Sequence, residues 1–385
     1  MPIHLLFIGD LFIHEQDFLR FLDSRRYKLT VINTSYWELP KLIRGTKIEV
    51  ENLYENSRIA RKVFRRKSLG WFIKAGVYNL FGATRLFNSE IKKIIKHADV
   101  NLIYGSWGST SLPEMQMVQK LELPIVYEFL SYQTYERYFA EKVENAFNAH
   151  VICSLYGRIL PTERMLDYLK DNFKIYNGQN IVFPELYSQQ CYYRKRLPRL
   201  SDSDSEPHVV FIGRLLYGSN ISSQFEEILR RRIHIHICET SDYTQMFLNS
   251  KYGGFFHTFR EFEMPELLDG SFATFMTQFD ACLVTYNSDK ATTMNRLHNS
   301  VPNRFSFALT AGIPIIMPKG YLLGCEEIVS KNQIGFTYGN YDDLIGTLSN
   351  IDLMEYYRNK AIENKKTCTL ENNFEKIDTF LKNHV

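Results

Sequence analysis

No two of the six cysteines, at positions 153, 191, 238, 282, 325 and 368, stand at C-x-x-C spacing. That absence argues against a zinc finger or ribbon and against a disulfide-stapled scaffold, and it reads as buried thiols in a reducing cytoplasm. Long apolar runs are missing too: nothing approaches the roughly 18 consecutive apolar residues of a membrane span. The opening Met-Pro-Ile-His-Leu-Leu-Phe-Ile-Gly-Asp has no basic region ahead of its apolar residues, so it reads as a strand ending at Gly9 and not as a signal peptide. The excess of cations over anions is small, 46 Lys and Arg against 43 Asp and Glu. A net +3 and a pI near 8.3 are too mild to argue for a nucleic-acid partner.

What is present is length, core-forming residues and rings. A chain of 385 residues is long for one core and natural for two domains. Apolar residues make up 45% against 23% charged, an ordinary soluble balance, and 24 Tyr with 28 Phe suit ring-lined clefts as well as cores.

The stretch from Asn299 to Pro318 has the clearest grammar. Asn299 or Ser300 can N-cap a helix, and Pro302 suits its first turn. Phe305, Ala308 and Leu309 recur at helical spacing, Gly312 stands where a C-cap glycine belongs, and Ile313 to Met317 reads as a buried strand. The amides at such a helix start, residues 300 to 303 (Ser300, Val301, Pro302 and Asn303), suit an anion, and Arg304 adds a forked cation matched to phosphate.

The same strand-then-glycine pattern opens both halves of the chain. Ile3 to Ile8 ends at Gly9-Asp10, followed by a helical pattern through Phe18, Leu19 and Leu22 and a strand at Leu29 to Ile32. His208-Val-Val-Phe-Ile-Gly-Arg repeats it after Arg194 to Pro207, a Ser-, Asp- and Pro-rich stretch that reads as a linker. The expectation is α/β with two Rossmann-like, doubly wound parallel-sheet domains: 1–190, a linker at 191–207, 208–368, and a C-terminal helix over 369–385. Further strands are expected at 100–104, 124–128, 255–259 and 281–286. The loops after the strands lie at the carboxyl edge, where such sheets hold ligands.

Pro302-Asn-Arg-Phe-x-x-Ala-Leu-x-Ala-Gly-Ile-Pro-Ile-Ile resembles the donor-site helix of GT-B glycosyltransferases, above all the retaining family 4 type, and other segments spanning most of the chain resemble the same family. The resemblance implies two facing domains with a nucleotide-sugar donor held by the later one, no cofactor, a saccharide or small-molecule acceptor, and retention of anomeric configuration. Gly213-Arg214 is similar to the family's strand-end Gly-Arg, whose arginine reaches the donor diphosphate. The lysine that normally follows about five residues later is absent from Leu215 to Asn220. Thr258 and Phe259 would lie against the donor base, with Asn287 at the mouth of the strand 281–286. Gly9, Asp10, His14, Ser106, Trp107 and Tyr132 would line the acceptor side. Glu128, at a strand end, suits a catalytic carboxylate or an acceptor for sugar hydroxyls, with a plain surface carboxylate as the alternative. The catalytic set expected is Glu128, Arg214 and Asn299. By the same resemblance, strands are expected at 150–154 and 174–178, the last of the first domain, and the final helix would cross back onto it.

Two family glutamates eight positions apart are missing. Counting back from Gly312, the second falls on Phe307 and the first on Asn299. Asn299 still hydrogen-bonds a sugar, but Phe307 cannot grip a ribose diol. The competing class is therefore a non-catalytic GT-B protein that binds a nucleotide, a glycan or a partner transferase.

Two further features invite other readings. GT-B folds lack an Asp-x-Asp metal motif, and the only such spacing, Asp202-Ser-Asp204, sits in the linker. Ile233-His-Ile-His-Ile237 puts two histidines on one strand face, but without a third ligand nearby in sequence it reads as a strand tolerating them, so no metal is expected. Arg58 to Lys67 carries six cations in ten residues ahead of Trp71-Phe-Ile. Such a segment suits peripheral contact with the inner face of an anionic membrane, although a solvated helix face is the plainer reading.

Overall fold

In a computed structural model of the chain, the structure describes residues 3–33, 40–52, 93, 99–106, 122–130, 149–175, 178–213, 221–238, 242–286 and 298–385. Arg58 to Lys67, Trp107, Tyr132, Arg214 and Asn287 lie outside these residues. The chain forms two compact units. The first comprises Met1–Pro184 with Phe374–Val385, and the second Glu185–Asn373.

The first unit is built on a seven-stranded sheet, every neighbouring pair parallel, in the order β3-β2-β1-β4-β5-β6-β7. Its strands are β1 (His4–Gly9), β2 (Lys28–Asn33), β3 (Val50–Asn52), β4 (Leu102–Ser106), β5 (Ile125–Glu128), β6 (Gly157–Leu160) and β7 (Gln179–Val182). The central strands are buried along their length, as expected where helices cover both faces of a parallel sheet. The expected opening unit forms as β1, a helix over Ile13–Ser24 and β2.

Two strand assignments were misplaced along the chain. Residues 149–154 are helical, and the strand follows as β6. Val151, Ile152 and Leu155 are all buried in one cluster, a spacing that suits one helix face, so the run of branched residues was a misleading strand signal. Lys174 is the left-handed cap of the Glu163–Phe173 helix, and the next strand, β7, starts at Gln179.

The second unit holds a six-stranded sheet, again with every neighbouring pair parallel, in the order β10-β9-β8-β11-β12-β13. The strands are β8 (His208–Phe211), β9 (His234–Cys238), β10 (Phe256–Phe259), β11 (Ala281–Leu283), β12 (Ile315–Pro318) and β13 (Gly335–Tyr338). This 3-2-1-4-5-6 order reverses direction between β8 and β11, the point where doubly wound sheets leave a crevice for ligands.

The stretch 191–207, read as a linker, lies inside the second unit. Leu197 N–H donates to Thr277 Oγ1, Leu200 N–H to the Gln278 carbonyl, and Ser201 Oγ–H to Asp280 Oδ1 at 2.7 Å. A polar, proline-containing composition describes an exposed stretch but says nothing of which backbone groups it bonds. The chain rejoins the first unit at Phe374, within the Leu370–Lys382 helix.

Candidate active site

At the carboxyl edge of the first sheet, side chains from two strands and one helix meet. A Cβ on Gly9 would lie 3.1 Å from the Ser106 carbonyl, so glycine lets the ends of β1 and β4 approach closely. The Ile13–Ser24 helix begins just beyond, bringing His14 and Glu15 over β4 and β5. His14 Nε2 lies 3.0 Å from Glu128 Oε1, Tyr104 Oη donates to Glu128 Oε2 at 2.7 Å, and Ser106 Oγ donates to Glu15 Oε1 at 2.9 Å. Ser106 Oγ is also 3.5 Å from Glu128 Oε2. All five side chains are buried.

Glu128 is thus no surface carboxylate, with only 4% of its area exposed. Burial alone would raise its pKa, but the charge and hydrogen bond of His14, with the bonds from Tyr104 and Ser106, hold it below the ordinary carboxylate range. The Tyr104 hydroxyl moves the other way, pushed well up by burial and then by the neighbouring Glu128 charge. When the ring carries a single proton, donated from Nε2 to Glu128, the second nitrogen, Nδ1, is an acceptor. In that form the pair is a carboxylate-oriented imidazole, an arrangement that can act as a general base.

At the carboxyl edge of the second sheet the organising group is Arg304. It stands in the first turn of the Asn303–Ala311 helix, which ends at Gly312 in the left-handed conformation, φ +58°, as its position suggested. The helix starts one turn later than expected: Pro302 is the N-cap, no side chain caps it, and Asn299, Ser300 and Val301 are buried residues ahead of it. Proline at 302 disfavours helical backbone at Val301 before it, which keeps the helix from starting earlier.

The Arg304 guanidinium lies 4.5 Å from the Phe211 ring centroid and 4.3 Å from that of Tyr286, and Nη1 donates to the Thr285 carbonyl at 2.7 Å. Gly213 adopts φ +147°, and a Cβ there would come 2.7 Å from Arg304 Nη2. The glycine therefore makes room for the cation. Phe211 ends β8 and Gly213 follows it, and Thr285 and Tyr286 follow β11, so Arg304 bridges the two strands at the switch point. Thr285 is itself held by Gln224, Oγ1 to Oε1 at 2.6 Å. Thr258 and Phe259 end the edge strand β10, with the Phe259 ring 5.1 Å from that of Phe275.

Phe307, where the family's second glutamate would stand, packs 5.5 Å from the ring of Tyr187 and 5.3 Å edge-on to Phe272. That helix face is filled by aromatic packing. Of the residues singled out from sequence, the structure joins His14, Ser106 and Glu128 in one network, and Gly213 and Arg304 in another. Tyr104, Glu15, Thr285 and Tyr286 were missed: Tyr104 looks like ordinary strand composition, Glu15 like an ordinary first-turn helix acid, and Thr285 and Tyr286 belong to a run read whole as a buried strand.

No known family's sequence profile matches this chain, and no curated protein sequence does. Solved structures do match its fold. Sucrose-phosphate synthase from Thermosynechococcus elongatus superposes with a TM-score of 0.69 at 11% identity, covering 99% of this chain and 98% of that one. An α,α-trehalose 6-phosphate synthase from Burkholderia multivorans gives 0.65 at 10% identity, covering 100% and 97%. HepE from Anabaena, solved in complex with UDP, gives 0.64 at 11% identity, covering 99% and 100%. The fold is that of the GT-B glycosyltransferases.

Proposed function

We propose that the chain is a glycosyltransferase moving a sugar from a nucleoside-diphosphate donor to a saccharide or small-molecule acceptor, without a metal at the reacting centre. The observation that carries this reading is Arg304, whose guanidinium sits at the β8/β11 switch point between two rings and beside a glycine that leaves it space. A fixed cation at that edge suits a departing diphosphate, and it acts by positioning and charge stabilisation. Gly213 and the Asn303–Ala311 helix start complete the donor side, with Arg214 and Asn299 assigned there by resemblance. The similarity to a UDP-bound structure makes UDP the first nucleotide to try.

In this reading His14, oriented by Glu128, takes the proton from the acceptor hydroxyl. A base so employed goes with single displacement and inversion, whereas the sequence resemblance implies retention, and NMR of the product anomer decides between them. Replacing His14 by Ala is expected to slow transfer by about 10²- to 10⁴-fold. Unchanged turnover in that variant removes the pair from the mechanism.

A second reading is favoured by Phe307: a site that binds a nucleotide or glycan but has given up transfer, since packed rings stand where a ribose-gripping carboxylate would be. A panel of nucleotide sugars, screened first by thermal shift and then for turnover, separates the two. Binding with turnover supports the transferase, binding alone supports the second reading, and neither overturns both.

A further inference from the structure

A cluster of histidines and carboxylates stands at the amino-terminal edge of the second sheet, the edge away from Arg304. His208 and His234 open the adjacent strands β8 and β9 in direct register. His236 and His257 are partners in the β9–β10 register. The third ligand that the sequence around Ile233–Ile237 lacks is thus supplied by neighbouring strands and by the turn before β8.

We infer that Asp204, His208 and His234 form a binding site for a divalent transition-metal ion of the zinc class. Asp204 Oδ2 lies 2.9 Å from His208 Nε2 and 3.7 Å from His234 Nε2, and the three ligand atoms all fall within 4.8 Å of one another. A tetrahedral ion with bonds of about 2.0–2.1 Å needs ligand atoms roughly 3.3 Å apart, a value the two observed distances bracket. One carboxylate with two imidazoles matches the donor set zinc takes where three protein ligands leave a fourth position for water.

The surroundings are built for the purpose. His208 Nδ1 lies 2.8 Å from His236 Nε2, and His234 Nδ1 lies 2.7 Å from His257 Nε2, so each ligand ring has a polar partner on its far nitrogen that fixes its tautomer. When an ion takes the two Nε2 lone pairs, the ring protons sit on Nδ1 and are donated to His236 and His257. Asp204 is held by its own turn, since Oδ1 accepts from Glu206 N–H at 3.0 Å, and it is exposed, which gives the ion a way in. Glu206, which bonds His234 Nε2 at 2.8 Å and also Arg232, must release that ring nitrogen when the ion enters. The His208 and His234 rings lie 4.2 Å apart and 6° from parallel, so capture requires both to tilt about their Cβ–Cγ bonds until their lone pairs converge. The ion would tie β8, β9 and the preceding turn together, a structural role remote from the sugar chemistry.

Titration of the full chain with Co²⁺, followed by its visible absorption, and with Zn²⁺, followed by equilibrium dialysis and thermal melting, tests the site. Saturable binding of a single equivalent, tetrahedral cobalt bands displaced by Zn²⁺, and a raised melting temperature are expected. Asp204→Asn, at an exposed position, should weaken Zn²⁺ binding by at least about tenfold while the ion-free protein melts as before, and His234→Gln should weaken binding as well. His150→Gln, in the first unit, should change nothing. Absence of saturable binding, or equal binding in the parent and the Asp204→Asn chain, overturns the assignment.

Discussion

Arg158 shows how a charge is kept inside this protein. Arg158, on β6, is fully buried, with Nε and Nη2 donating to the Ile152 carbonyl at 2.9 and 2.6 Å and Nη2 to Cys153 O at 3.2 Å. Burial brings its pKa down to about 10, still far above neutrality. The guanidinium thereby satisfies carbonyls at the end of the helical stretch 149–154 that nothing apolar can satisfy. Arg158→Met is expected to cost about 2–4 kcal/mol, the penalty for leaving buried carbonyls without donors, measured by denaturant unfolding. Glu128 makes a pH prediction at the same scale. Its carboxyl titrates lower folded than unfolded, so the stability it contributes is complete above the ordinary carboxylate range and is lost as pH falls through that range towards the folded value. Glu128→Gln should flatten this acid limb in melting curves taken from neutrality downward, and an unchanged limb would show that the carboxylate carries none of it.

At the scale of elements, Gly213 and Gly335 fix where strands and ligand groups stand. Gly213→Ala must push against Arg304 Nη2 and hold φ +147°, so UDP affinity should fall by roughly tenfold or more, read by calorimetric titration, and the melting temperature should fall as well. A Cβ on Gly335 would fall 1.9 Å from the Ile315 carbonyl, and Gly335→Ala should cost more than about 2 kcal/mol by parting β12 from β13. Such elements were also the most legible. The helix ending at Gly312 and the strand after it follow from spacing, a cap glycine and branched residues, and all three signals agree. Residues 149–154 misled because Val and Ile favour strands locally while burial of one helix face decided the outcome. The site was legible at strand ends, where Gly9, Ser106, Glu128 and Gly213 mark a sheet edge. The histidine cluster was not, since its register partners come from strands whose pairing no local pattern reveals.

For the whole molecule, the first unit is not continuous in sequence. Residues 374–385 complete it: Phe374 meets Phe21 edge-on at 5.4 Å, Tyr27 Oη donates to Asp378 Oδ1 at 2.6 Å, Lys376 Nζ donates to the Val182 carbonyl, and Ile377, Phe380 and Leu381 are buried. Each such apolar side chain is worth about 1.5–3 kcal/mol, so their combined loss rivals the 5–15 kcal/mol that typically holds a domain together. Deletion of residues 374–385 should therefore unfold the first unit while the second keeps its melting transition, which scanning calorimetry would resolve. A retained pair of transitions would show the segment to be dispensable. During translation this arrangement inverts the usual order of maturation. Glu185–Asn373 can close its sheet as soon as it has left the ribosome, whereas the half made first has to wait, incomplete, for residues 374–385 to emerge.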